Sequence, residues 1–148
     1  VIKNSKVKLE EQEIEVEFKN EEPIYVYADE FYIEQVVTNY FTNAIKNVDK
    51  VDGKKKIKIS IKKGKEEKKL RVTVFNTGKN IPEEDLTRIW EKFYKVDKAR
   101  TREYGGNGIG LSIVKAIMEA HNQSCGVKNH ASGVEFWFEL DHSAETQN

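Results

Sequence analysis

The segment YGGNGIGLSIVKAI, residues 104–117, places four glycines within positions 105–110 and runs on into an apolar stretch of helical rhythm. Glycine admits left-handed backbone and close approach by another group, and a helix start presents unpaired N–H donors, so the chemistry on offer is phosphate binding. Spacing eliminates two versions of it. A dinucleotide fingerprint counted from Gly108 and Gly110 would need its third glycine where Ile113 stands. A P-loop would end in Gly-Lys-Ser/Thr, whereas Gly110 is followed by Leu111 and Ser112. What remains is G-x-G-x-G-L from Gly106 to Leu111, entered from the charged stretch KVDKARTREY instead of from a strand. Taken alone, a flexible loop ahead of a helix explains these glycines equally well.

Two other groups of residues offer chemistry. Asn39, Asn43 and Lys46 recur at helical spacing. With Asn39 at zero and about 100° per residue, the apolar positions from Val36 to Ile45 cover an arc from about 60° to about 240°, while Asn43 falls near ~40° and Lys46 near about −20°. Two amides and an ammonium therefore form a polar ridge beside a buried stripe. An amide oxygen is a hard ligand that can join a Mg²⁺ shell completed by water and phosphate, and lysine offers compact positive charge to phosphate oxygens. A solvated helix face would look the same. In VTVFNTGKNIP a strand ends at Phe75, and Asn76, Gly78 and Asn80 follow where a ligand can meet backbone as the chain turns. Its plain reading is a β-turn into a helix.

The elements that must position these groups follow from periodicity. EIEVEF (13–18) alternates apolar and acidic residues as a half-buried strand does, and PIYVYA follows as a second short strand. From Asp29, a fitting N-cap, the rhythm becomes helical through Ile33, Val36, Val37, Tyr40, Phe41, Ala44, Ile45 and Val48. KIKISI and LRVTVF read as a hairpin with a polar turn, and their lysines as its wet side. Pro82 and the acids after it read as a helix start, and a second long helix runs from the glycine cluster to about His121. CGVKN and GVEFWFEL close the chain as strands, with 141–148 expected to fray. The sum is an α+β fold, one mixed sheet covered on one face by helices.

At 148 residues the chain is expected to be one domain. Lys plus Arg, 25, balance Asp plus Glu, 25, which removes any general attraction to nucleic acid or anionic membrane. A single cysteine, Cys125, excludes an internal disulfide, suits a reducing compartment and is expected to be buried. No apolar run reaches membrane-spanning length and VIKNSKVKLE has no signal-peptide core. The start at Val1 instead of Met points to a piece of something longer.

Read in order, NYFTNAIK, NTGKNIP, WEKFYK and GGNGIGLSIVK resemble the ATP-binding catalytic domain of sensor histidine kinases, a branch of the Bergerat-fold superfamily, over about Tyr27 to Leu140. The resemblance implies a two-layer α/β sandwich with a mostly antiparallel sheet and a mobile ATP lid from about Tyr94 to Gly106. It implies Asn43 as the principal Mg²⁺ ligand, Asn39 in support, and Lys46 at the phosphates. Asn76 would read adenine, Gly78 would let the ring approach, and Ile81 would lie against the nucleotide. Phe93 would anchor the lid and Lys95 would meet the terminal phosphate. Gly106, Gly108, Ile109, Gly110 and Leu111 would receive the triphosphate. Trp90 is expected to pack beneath the lid. The implied reaction is transfer of the ATP γ-phosphoryl group to a histidine on a separate dimerisation and phosphoacceptor domain of the same parent, with a response regulator downstream. The parent is expected to be membrane-anchored with this domain, a monomer when isolated, in the cytoplasm.

Two departures from the family pattern, the residue at Asn39 and the setting of the histidines qualify what the resemblance implies. The family usually has Asp at Asn76 and Gly at Asn80; an amide both donates and accepts, so by turning over it would also suit guanine, and weaker discrimination against GTP is expected. ATPases and serine kinases of the superfamily carry Glu at the position of Asn39; an amide cannot accept the proton, which favours transfer to a nucleophilic imidazole over hydrolysis and disfavours a serine kinase. His121, His130 and His142 lack the family's H-E-x-x-T-P setting, so the acceptor is expected elsewhere. A nucleotide-responsive interaction module without efficient catalysis is the alternative.

Overall fold

Six strands and three helices, described over residues 2, 5–19, 25–64, 68–94 and 109–142 in a computed structural model, build the fold. The chain runs α1 (Lys6–Glu11), β1 (Ile14–Lys19), β2 (Val26–Tyr27), α2 (Glu30–Asn47), β3 (Lys55–Lys63), β4 (Lys69–Thr77), two 3₁₀ turns (Glu83–Asp85 and Arg88–Trp90), α3 (Gly110–Ala120), β5 (Cys125–His130) and β6 (Gly133–His142). The sheet order is β1-β3-β4-β6-β2, with β5 also on β6. β4 pairs with β6 from Lys69↔Asp141 to Thr77↔Gly133, so β5 and β2 share the other edge of β6. Every pairing is antiparallel except β1 with β3. That pair is parallel because the connection between them passes through β2 and the whole of α2.

α2 begins where its cap dictates. The Asp29 carboxylate accepts the Phe31 and Tyr32 N–H groups at 3.0 and 3.4 Å. The Asp29 N–H in turn donates to Nε2 of His121 at 3.3 Å, while Nδ1 of that ring lies 2.9 Å from the Ile117 carbonyl. Since Nε2 accepts, Nδ1 carries the proton, and this histidine ties the end of α3 to the start of α2. The helix buries Val36, Tyr40, Phe41, Ala44 and Ile45, the stripe read from its periodicity. These pack on the inward residues of β6: the Tyr40 ring lies 5.3 Å from Phe136 and 6.0 Å from Phe138, and its hydroxyl donates to the Trp137 carbonyl at 3.0 Å. Burial pushes the Tyr40 phenol above its ordinary range, so it remains a neutral donor. Val114, Ile117 and Met118 of α3 complete the same core.

The opposite face of the sheet is laced with charge. Glu17 meets Lys56 at 3.4 Å, and Arg71 bonds Glu139 at 2.9 Å while its guanidinium lies 3.8 Å from the Trp137 ring. This pairing lets Glu139 sit only 8% exposed on a face that alternation assigned to solvent.

Several boundaries differ from expectation. α1 was not legible, because six residues bury only Leu9. PIYVYA supplies only a two-residue strand, and the segment after Pro82 forms 3₁₀ turns instead of an α-helix. The fray expected from residue 141 does not begin there: Asp141 and His142 continue β6, paired with β2, and Asp141 is gripped by Lys69 at 2.8 Å. That hydrogen bond holds the Asp141 carboxyl below its usual range. Trp90 packs edge-on against Phe136 at 5.9 Å. Cys125, expected to be buried, is only half-buried, and desolvation raises its thiol pKa. Among the described residues, no helix is long and apolar enough to cross a membrane.

Candidate functional site

The polar ridge of α2 is the hub of the site. Asn39, Asn43 and Lys46 are all half-buried, flanking the stripe that faces the sheet. At one end the ridge meets α3: a Cβ placed on Gly110 would lie 3.4 Å from Asn39 Oδ1, so the glycine-opened helix start abuts the first asparagine. At the other end it meets the NTGKNIP segment. Gly78 has φ +141, a conformation side chains rarely adopt, and a Cβ there would sit 3.2 Å from the Asn47 carbonyl. Asn39 and Asn47 are eight residues apart on α2, about 12 Å along the axis. One helix thus touches both motif segments.

Thr77 fastens that second junction. Its carbonyl accepts the Asp49 N–H at 2.9 Å, and its hydroxyl donates to the Asp49 carbonyl at 2.8 Å and accepts the Lys56 N–H at 3.0 Å. The same carbonyl accepts Nδ2 of Asn76 at 3.0 Å. Asn76 is 2% exposed on the helix-facing side of the sheet, in register with Ile57 and Val134. A carbonyl can only accept, so the nitrogen of the Asn76 amide is fixed toward Thr77 and its Oδ1 is left as an acceptor.

The loop after Gly78 is stitched to the β5–β6 hairpin. Asn80 Nδ2 donates to the His130 and Gly133 carbonyls at 2.8 and 3.0 Å. Asn129 exchanges two bonds with the backbone of Ile81, accepting its N–H at 3.0 Å and donating to its carbonyl at 2.8 Å. Asn80, a departure from the glycine usual in the family, thus fastens the loop. Asn80→Gly and Asn129→Ala are each expected to cost about 1–2 kcal/mol, from two lost hydrogen bonds apiece. Denaturant melts check the magnitude, and amide exchange should accelerate selectively across residues 78–82.

Ile81 and Leu111 are partly buried against the core. The Ile109 carbonyl, just ahead of α3, accepts the Ile113 N–H at 3.0 Å and the Ser112 hydroxyl at 2.7 Å. Phe93 is 64% exposed with a left-handed φ of 67, and Lys92 approaches its ring at 5.3 Å. The aromatic that folds back is Tyr94. Its hydroxyl hydrogen-bonds to buried Asp85, which raises the phenol pKa, and Arg88 lies 4.6 Å over its ring. Lys95, Gly106 and Gly108, and the lid between Tyr94 and Gly106, lie outside the described residues.

Among the described residues, no group of three or more His, Cys, Asp or Glu side chains could cage a metal. A Mg²⁺–nucleotide complex needs only one or two protein oxygens beside phosphate and water, so the fit rests on the asparagine amides of α2. Asn43 Oδ1 accepts Nδ2 of Asn47 at 3.0 Å, which leaves one of its two lone pairs for a cation. Asn47 was absent from the motif reading, although its spacing of four residues from Asn43 was a usable signal.

A model of the family described as Histidine kinase-, DNA gyrase B-, and HSP90-like ATPase matches residues 28–144. The sensor histidine kinase WalK of Bacillus subtilis (strain 168) is 33% identical over 126 residues, which are 84% of this chain and 20% of that protein. WalK of Staphylococcus haemolyticus is 38% identical over 101 residues, 68% of this chain and 16% of the relative. This chain therefore spans about a fifth or less of the length of these curated relatives. The solved catalytic domain of histidine kinase ThkA superposes with a TM-score of 0.80 at 32% identity, covering 97% of this chain and 89% of that one. ThkA in complex with the response regulator protein TrrA gives 0.74 at 30% identity, covering 97% and 39%. The chain belongs to this ATPase family and, within it, is an ATP-binding catalytic domain of the sensor histidine kinase type.

Proposed function

We propose that the domain holds ATP along α2, with the purine at the Asn76–Gly78 end and the triphosphate at the Asn39–Gly110 end, and passes the γ-phosphoryl group to a histidine of its parent protein. The observation that carries this is the double contact of α2, with Gly110 at Asn39 and Gly78 at Asn47. Asn43 and Asn39 would hold Mg²⁺, which when bound offsets charge on the phosphate oxygens. Lys46, with no ion pair among the described residues, supplies a further positive charge there. The N-terminus of α3 presents N–H groups to phosphate, as helix starts do. Lys95, Gly106 and Gly108 are assigned the γ-phosphate and lid-hinge roles, and Phe93 the lid anchor.

In the transfer step a neutral imidazole nitrogen forms the N–P bond while the bond from the γ-phosphorus to the β–γ bridging oxygen breaks and ADP leaves. No base is needed for that nucleophile, which fits an amide at Asn39. His121 supports an acceptor elsewhere, since both its ring nitrogens are engaged in joining α3 to α2. The likeness to ThkA, solved with a response regulator, supports a regulator as the next partner. The sensor names of relatives about four times the length of this chain support a membrane-anchored parent with this domain in the cytoplasm. The test is radiolabel transfer from γ-labelled ATP to the parent's phosphoacceptor domain. Acid-labile label on that domain is expected; nucleotide binding without transfer would leave a regulatory module instead.

The amide orientation of Asn76 bears on the base. With Nδ2 held by Thr77, Oδ1 accepts, the polarity that adenine's exocyclic amino group requires. Serving guanine's O6 would mean turning the amide over and setting two acceptors against each other, at a cost of about 1–2 kcal/mol. A preference for ATP over GTP of roughly 5- to 30-fold is expected by calorimetry. Equal affinities would show that the amide turns freely.

A further inference from the structure

We infer that Asn47 is a positioning residue that presents the Asn43 amide oxygen to the metal, an inference that rests on the nucleotide–Mg²⁺ reading above. An asparagine on a helix surface can turn its amide either way, and only one orientation offers oxygen to a cation. Here the choice is fixed from one turn further along the helix. Nδ2 of Asn47 donates to the Asn43 backbone carbonyl at 2.8 Å and to Asn43 Oδ1 at 3.0 Å. Were the Asn43 amide to turn over, its NH₂ would face the NH₂ of Asn47, two donors without an acceptor. The oxygen therefore stays on the Asn47 side, with no second partner among the described residues.

Asn47 is itself well held. It is the last residue of α2, half-buried, and its carbonyl lies so near Gly78 that a Cβ there would be a tight 3.2 Å away. The next residues are pinned to β4 through Asp49 and Thr77. The side chain that orients the metal-binding amide thus belongs to the residue that also abuts the base-binding loop. Partners that orient a metal ligand without touching the metal typically change affinity 10- to 100-fold when removed.

The experiment is calorimetric titration of the domain with the β,γ-imido analogue of ATP, with and without Mg²⁺, on the parent sequence, Asn47→Leu, Asn47→Ala and Asn43→Ala. Leucine keeps the branched shape of Asn47 without its donor and alanine removes the side chain beyond Cβ, so agreement between them isolates the lost donor. The expected result is a roughly tenfold smaller Mg²⁺ enhancement of binding in both Asn47 variants, with Mg²⁺-free affinity unchanged. A purely structural role would instead lower Mg²⁺-free affinity as much as Mg²⁺-dependent affinity, and that result would overturn the inference. An undiminished enhancement in both Asn47 variants, where Asn43→Ala abolishes it, would also overturn it while leaving the metal site standing. If Asn43→Ala keeps the full enhancement, the metal reading itself is wrong, and the inference falls with it.

Discussion

Asn43→Ala is expected to remove the Mg²⁺-dependent part of ATP binding, a loss on the order of 100-fold or more, while the unfolding midpoint stays close to that of the parent. The reason lies in what the side chain does in the fold. Asn43 is half-buried beside the core stripe, and among the described residues its amide oxygen is bonded to Asn47 alone, one turn away on the same helix. Alanine is the best helix former, so the helix gains locally what the lost hydrogen bond removes. Affinity and stability should therefore separate. Phosphoryl transfer should fall with the affinity, because in-line transfer depends on neutralised phosphate oxygens and fixed geometry. A large fall in stability with Mg²⁺ dependence intact would mean that Asn43 is a structural amide.

Gly133→Ala should give the largest loss of stability. A Cβ at this position would sit 2.0 Å from the Asn76 carbonyl oxygen, 2.9 Å from its carbon and 2.9 Å from Cζ of Phe75. The two Asn76 atoms are backbone and cannot swing aside as a side chain could, and the β4–β6 register cannot absorb the overlap without parting Thr77 from Gly133. A cost of about 3 kcal/mol is expected, roughly 10 °C in midpoint. The displaced residue is Asn76, so nucleotide affinity should fall in molecules that remain folded. Thermal melts paired with ATP titration would show both effects; a midpoint within a degree or two of the parent would contradict this packing.

The legible parts of the chain were those whose signal is local. Asp29 and the apolar stripe of α2 announce a helix, and Phe136, Phe138 and Leu140 announce an inward strand face, because each pattern lies within one element. The ridge of Asn39, Asn43 and Lys46 was visible for the same reason. Tertiary partnerships were not. Asn129 and Ile81 exchange two hydrogen bonds across 48 positions, and nothing near either residue marks the other. Asn80 stood out only as a departure, and its use became clear once the β5–β6 hairpin lay beneath it. Phe93 and Tyr94 are adjacent aromatics, and periodicity cannot say which turns inward; the left-handed backbone at Phe93 sends Tyr94 to Asp85. The Asn76 amide was ambiguous in sequence because its orientation depends on a carbonyl one residue away.

The most direct measurement is a crystal structure of the domain with Mg²⁺ and the β,γ-imido analogue of ATP. The expected complex has the purine amino group on Asn76 Oδ1 beside Gly78, the Asn43 oxygen in the metal shell, and the triphosphate running toward the Gly110 end of α3. A purine bound away from Asn76 and Gly78, or a metal shell that excludes Asn43, would contradict the convergence of these segments on one nucleotide.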